Sequence, residues 1–181
     1  MNIALDIVLI PRSAELLMSL SEQLCSESFR LSQHAFPHIT LAMGFINEGG
    51  VKEIVDEIKN WDTIAIQCTQ MVIEPSGSAS NILLQVELSN ELRNLHEKAM
   101  SLLSTYRAHG ADAAYFAGDV SISTSNYVAN FESYAYEQFS PHFTLGEAKT
   151  NALTHDFQKS LIADVALFQL GDRCTCAKRL G

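Results

Sequence analysis

Pro37-His38-Ile39-Thr40-Leu41 and Pro141-His142-Phe143-Thr144-Leu145 are two copies of one pattern, Pro-His-x-Thr-Leu, and their reading decides the fold. The histidines lie 104 positions apart (142 − 38), one in each half of the 181-residue chain. Each copy falls in an apolar stretch, Phe36 to Phe45 and Phe139 to Gly146, that reads as a strand. Successive side chains of a strand point to opposite faces. His38 then projects with Thr40, and His142 with Thr144, while Ile39, Leu41, Phe143 and Leu145 turn toward a core. An imidazole beside a hydroxyl, presented twice, suits a phosphate group gripped from two sides.

Outward from the first copy, Ile3 to Ile10 reads as an opening strand, and Ala14 to Cys25 as a helix with Leu16, Leu17, Leu20 and Leu24 at helical spacing. After it, the Asn47-Glu48-Gly49-Gly50 turn leads into an amphipathic helix over Val51 to Trp61. Strands follow over Thr63 to Ile73 and Asn81 to Leu88, joined through a Pro75–Ser78 loop. Ser89 or Asn90 caps a long helix, Glu91 to Tyr106, with a buried stripe of Leu92, Leu95, Ala99, Leu102 and Leu103. Residues 110–138 are aromatic-rich and read as either a lid or a plain connector, with a short helix after Ser123 or Ser125 carrying Tyr127, Phe131 and Tyr134. Beyond the second copy, Asn151 to Val165 reads as a helix and Ala166 to Lys178 as a closing strand. Strands and helices mix without strict alternation, so the expected class is α+β: one two-lobed domain over 1–181, one His-x-Thr per lobe, around a central cleft.

Composition bounds the partners. Hydrophobic residues make up 47% and charged residues 18%, ordinary for a soluble domain. No apolar run reaches the roughly 18 residues of a membrane-spanning helix. The apolar stretch Ile3 to Ile10 contains Asp6 and follows no basic residue, which makes it a poor signal peptide. The four cysteines, Cys25, Cys68, Cys174 and Cys176, are sparse and form no CxxC pair, so free thiols in a cytoplasmic protein are expected. With 12 basic against 21 acidic residues, net charge −9, no extended nucleic-acid surface is expected. The expected partner is a small phosphorylated substrate, a nucleotide or an RNA end, with no membrane, and the chain is read as a monomer.

Histidine is the side chain whose ordinary pKa, about 6.5, lets it take or give a proton near neutrality. On opposite sides of a phosphodiester, one imidazole can deprotonate the attacking water while the other protonates the departing ribose oxygen. The hydroxyls of Thr40 and Thr144 can donate to the non-bridging oxygens, where charge builds in the transition state. This chemistry calls for no metal and no cofactor, and neither copy carries a nearby carboxylate or cysteine at metal-ligand spacing. Which histidine is base and which acid stays open. Phe36, Tyr136 and Phe139, close to the two copies, are candidates for stacking a nucleobase, against a plain packing role. His34, four residues before His38, reads as a cleft-mouth or a loop residue, and His96, His109 and His155 have no partner motif.

The paired pattern resembles the two-histidine phosphoesterase superfamily, which includes 2'-5' RNA ligase-like proteins and 2',3'-cyclic phosphodiesterases. The resemblance implies a bilobal α+β fold with two antiparallel sheets lining a cleft and helices outside. It also implies metal-independent hydrolysis of 2',3'-cyclic phosphates on nucleotides or RNA ends, in the setting of RNA processing. His38 and His142 match the family's catalytic histidines, and Thr40 and Thr144 its phosphate-binding hydroxyls. Action on 2',5' linkages as a ligase or phosphodiesterase, and non-catalytic nucleotide binding, are the alternatives. Where many relatives carry an arginine after the second copy, this chain has Gly146-Glu147, with Lys149 as the nearest cation that could offset the carboxylate.

Overall fold

The computed structural model describes residues 1–32, 35–77, 79–108, 110, 112–149 and 155–181, the side chains of 155 and 156 excepted. In chain order the elements are β1 (Asn2–Pro11), α1 (Glu15–Leu24), β2 (Cys25–Arg30), β3 (Ile39–Asn47), α2 (Val51–Ile58), β4 (Ile64–Ser76), β5 (Ala79–Val86), α3 (Asn90–Thr105), α4 (Ile122–Ala129), β6 (His142–Ala148), β7 (His155–Leu170) and β8 (Cys176–Arg179). Short 3₁₀ turns fill several connections. The α+β class holds, and among the described residues no helix is long and apolar enough to cross a membrane.

All eight strands join one antiparallel hydrogen-bonded path, β2-β6-β5-β4-β7-β1-β3, with β8 added alongside β7. The 16-residue β7 is the joint of the sheet. Its first part, up to Ala163, pairs with β4, and from Ala163 onward it pairs with β1. The first Pro-His-x-Thr-Leu copy therefore belongs to the β1–β3 end and the second to the β5–β6 end. Helix α3 packs on β3, α1 on β2 and β6, and α2 on β7. Leu17 of α1, Ile54 of α2 and Leu92 and Ala99 of α3 are fully or nearly fully buried there, each large side chain contributing about 1.5–3 kcal/mol by leaving water. Ser89 caps α3 as its sequence suggests, accepting a hydrogen bond from the Leu92 N–H (3.1 Å); α4 starts earlier than the expected Ser123 or Ser125, with Ser121 accepting from the Thr124 N–H (3.2 Å), and it ends before Phe131 and Tyr134.

Two expectations are corrected. The helix read over Asn151 to Val165 is strand from His155 onward, its first residues, Asn151 to Thr154, lying outside the described residues. Both edges of this segment are offered hydrogen-bonding strands, β4 and then β1, and strand pairing overrides local helical preference. The closing strand read over Ala166 to Lys178 is instead the end of β7, a tight turn at Asp172–Cys174 and the short β8. Arg173 and Cys174 in that turn take positive φ (55° and 54°), which breaks the extended backbone. The sequence Cys25-Ser26-Glu27-Ser28-Phe29-Arg30 forms an edge strand, β2, that a search for apolar runs passes over. Of the Pro75–Ser78 loop, Pro75 and Ser76 extend β4 and Ser78 lies outside the described residues. His34 and His109 lie outside them too.

Candidate active site

The alternation expected of the two copies is present. Ile39, Leu41, Phe143 and Leu145 are fully buried, whereas His38, Thr40, His142 and Thr144 are each partly exposed. Each imidazole is held in the same way. The Nδ1–H of His38 donates to the Phe36 carbonyl, and that of His142 to the Ser140 carbonyl, both at 2.8 Å and both two residues back. A carbonyl can only accept, so Nδ1 carries the hydrogen in both rings, and in the neutral ring Nε2 is the nitrogen without one. The rings are near enough for His142 to act electrostatically on His38. Burial pushes the His38 pKa below the ordinary imidazole value and the His142 charge adds to this, against the opposing backbone hydrogen bonds to Phe36 and Cys174.

The likeness of the two copies extends to a backbone irregularity invisible in the sequence. Val8 faces Thr40 but Ile7 faces Ala42, so Leu41 is an extra residue in β3. Leu83 faces Thr144 but Ile82 faces Gly146, so Leu145 is an extra residue in β6. Both copies thus carry a β-bulge at their leucine. Such bulges re-aim side chains and interrupt the ladder. Each bulged carbonyl is met by a buried polar side chain from the helix behind it. The His96 Nδ1–H on α3 donates to the Leu41 carbonyl (2.6 Å), and the Ser21 hydroxyl on α1 donates to the Leu145 carbonyl (2.6 Å).

These two side chains also accept. His96 Nε2 takes the Tyr136 N–H (2.8 Å) and Ser21 Oγ takes the Leu31 N–H (2.8 Å). The connections cross. Ser21 ties the bulge of the second copy to the segment leading into the first, and His96 does the reverse. Tyr136, at φ 57°, is held in a left-handed conformation unfavourable for its side chain by about 1 kcal/mol or more, and the bond to His96 helps fix it. His96 also stacks face to face on Phe139, centroids 3.9 Å apart.

The remaining candidates fall into place around this frame. The Thr40 hydroxyl lies 2.7 Å from Oδ2 of Asp6, a fully buried residue of β1, whereas the Thr144 hydroxyl has no protein partner among the described residues. Phe36 and Tyr136 are exposed at 38% and 43%, while Phe139 is only 7% exposed and packs against His96, a place in the core rather than at the rim. The bulge puts Glu147, not Gly146, on the face that carries Thr144, and Glu147 accepts a hydrogen bond from Ser28 (3.3 Å). Lys149 does not offset it: its ammonium donates to the Glu22 and Gln23 carbonyls at the end of α1 (2.9 and 3.1 Å). Among the described residues no three His, Cys, Asp or Glu side chains converge where a metal ion could be held.

No protein-family model and no curated protein matches the chain. Ser21, His96 and Asp6 are the residues that motif reading passed over. Each carried a signal: a polar side chain where the helical or strand pattern demands an apolar one, Ser21 among Leu17, Leu20 and Leu24, His96 between Leu92 and Ala99, Asp6 within Ile3 to Ile10.

Proposed function

We propose that the protein is a metal-independent phosphodiesterase of the two-histidine type that hydrolyses 2',3'-cyclic phosphates on nucleotides or RNA ends. The observation that carries this reading is the matched setting of the two imidazoles: each donates through Nδ1 to a carbonyl two residues back, and His142 lies near enough to act on His38. His38, held toward its neutral form, is the general base that takes a proton from water as the water oxygen attacks phosphorus. His142, protonated, gives its proton to the ribose oxygen as the P–O bond breaks. The product is a phosphomonoester, and the two histidines finish with their protonation states exchanged. Hydroxyls of Thr40 and Thr144 offer hydrogen bonds to the non-bridging oxygens.

A two-lobed arrangement suits this chemistry. One lobe would hold β2-β6-β5-β4 with the first part of β7, and the other β3-β1 with the rest of β7 and β8, the cleft running between the two copies. Phe36 and Tyr136, both exposed, would be the side chains that stack a base. The test is a panel of 2',3'-cyclic nucleotides, cyclic-phosphate-ended oligonucleotides and 2',5'-linked dinucleotides, with and without EDTA, products resolved as 2'- or 3'-phosphates. Turnover of the cyclic phosphates, unaffected by EDTA, is expected. Turnover restricted to the 2',5'-linked compounds would move the assignment to that linkage, and saturable binding without product would make the protein a binder.

A further inference from the structure

Asp6 is a buried carboxyl residue that the proposed reaction leaves without a task. It is fully buried in the middle of β1, with Thr40 Oγ1 2.7 Å from Oδ2 and no partner for Oδ1 among the described residues. Met43 of β3 and Phe168 of β7 lie opposite it in the flanking strands. The titratable groups that sense it are the Cys174 and Cys176 thiols, from the turn before β8 and from β8, and the Tyr127 phenol of α4. No cation is among them. Burial accordingly raises the Asp6 pKa well above the ordinary carboxylate value, with the Thr40 hydrogen bond only partly opposing.

The protonation state of Asp6 decides what Thr40 can do. An ionised carboxylate has only acceptors, so Thr40 would spend its one hydroxyl proton on Oδ2 and have none for a phosphate. A neutral acid reverses the bond: the Oδ2–H donates to Thr40 Oγ1, and the threonine proton is free to turn to the ligand. The orphaned Oδ1 favours the second state, because an unpartnered carbonyl oxygen is cheaper to bury than half of a carboxylate. A neutral Asp6 also places no negative charge behind a threonine that must meet an anion. On β5 the position equivalent to Asp6, two residues before the one facing a motif threonine, is Asn81, an uncharged side chain that has donors.

We propose that Asp6 is a positioning residue that stays a neutral carboxylic acid and donates its hydrogen bond to Thr40, turning the Thr40 hydroxyl proton toward the substrate phosphate. This rests on the two-histidine phosphodiesterase reading, and the test separates the two. Infrared difference spectra of wild type against Asp6→Asn at neutral pH read protonation directly, and a buried carboxylic-acid carbonyl band absent from Asp6→Asn is expected. In turnover, Asp6→Asn, which keeps a donor, holds kcat/KM close to wild type. Asp6→Val loses about 10- to 100-fold, the range of one hydrogen bond to an anion, mostly in kcat. A missing acid band, Asp6→Asn losing as much as Asp6→Val, or Asp6→Val losing nothing would each overturn the proposal. If wild type turns over none of the panel, the phosphodiesterase reading fails, and inorganic phosphate binding followed by ³¹P NMR takes the place of turnover. Weaker binding by Asp6→Val than by wild type and Asp6→Asn then supports the Asp6–Thr40 link, and equal binding by all three rejects it.

Discussion

A histidine that serves as a base must be neutral when its substrate arrives, and the surroundings of His38 favour the neutral form that the proposed reaction asks of it. Burial and the neighbouring His142 disfavour the cation, while the bond from Nδ1 to the Phe36 carbonyl orients the ring and fixes its tautomer. The sign of the shift makes a kinetic prediction. A base with a lowered pKa remains competent to lower pH, so the acid limb of the kcat/KM profile should fall below the ordinary imidazole value of about 6.5. A pH–rate series on a 2',3'-cyclic nucleotide measures it, and an acid limb at or above that value argues against His38 as base. The two threonines differ in setting. Thr40 is coupled to Asp6, whereas Thr144 has no protein partner among the described residues.

The elements work through the pairing of bulge and clamp. A bulge at Leu41 and another at Leu145 remove each leucine carbonyl from the regular ladder, and His96 and Ser21 take over the bonds the sheet gives up. Truncating either clamp leaves a buried leucine carbonyl and a backbone N–H without a protein partner. Ser21→Ala and His96→Ala should therefore each destabilise the fold by about 1–3 kcal/mol or more in chemical denaturation. The His96 effect should also depend on pH. Burial lowers its folded pKa, so on acidification the unfolded chain binds a proton near the ordinary value while the folded chain does not. Stability should fall as pH drops through about 6.5, and His96→Gln should flatten that fall. An unchanged slope would show that His96 is not held neutral.

The strand faces of the two copies, and with them the grouping of His38 with Thr40 and His142 with Thr144, were legible from alternation alone. The bulges were not, because a register shift depends on which residues the partner strand presents. Nor were the clamps, which join positions 55 and 124 residues apart. What the sequence did hold was three polar residues in apolar patterns, Ser21, His96 and Asp6, readable as anomalies but not as partners.

At the scale of the whole molecule, one sheet carries both copies, and the long β7 links the β1–β3 end to the β4–β6 end. The helix read over Asn151 to Val165 fails from His155 onward because β7 takes its conformation from two neighbours far away in sequence, β4 and β1. The two motif strands are not hydrogen-bonded to each other, yet they pack together, and the crossed bonds of Ser21 and His96 tie the approach to each copy to the bulge of the other. Such an arrangement fixes the relative placement of two imidazoles supplied by distant segments, which division of labour between an acid and a base requires. The claim that both histidines act in one reaction is tested most directly by turnover of a 2',3'-cyclic nucleotide by His38→Ala and His142→Ala, with folding checked by thermal melts. The account predicts that each folded variant loses about 10²-fold or more. Near-wild-type turnover by either one would contradict it.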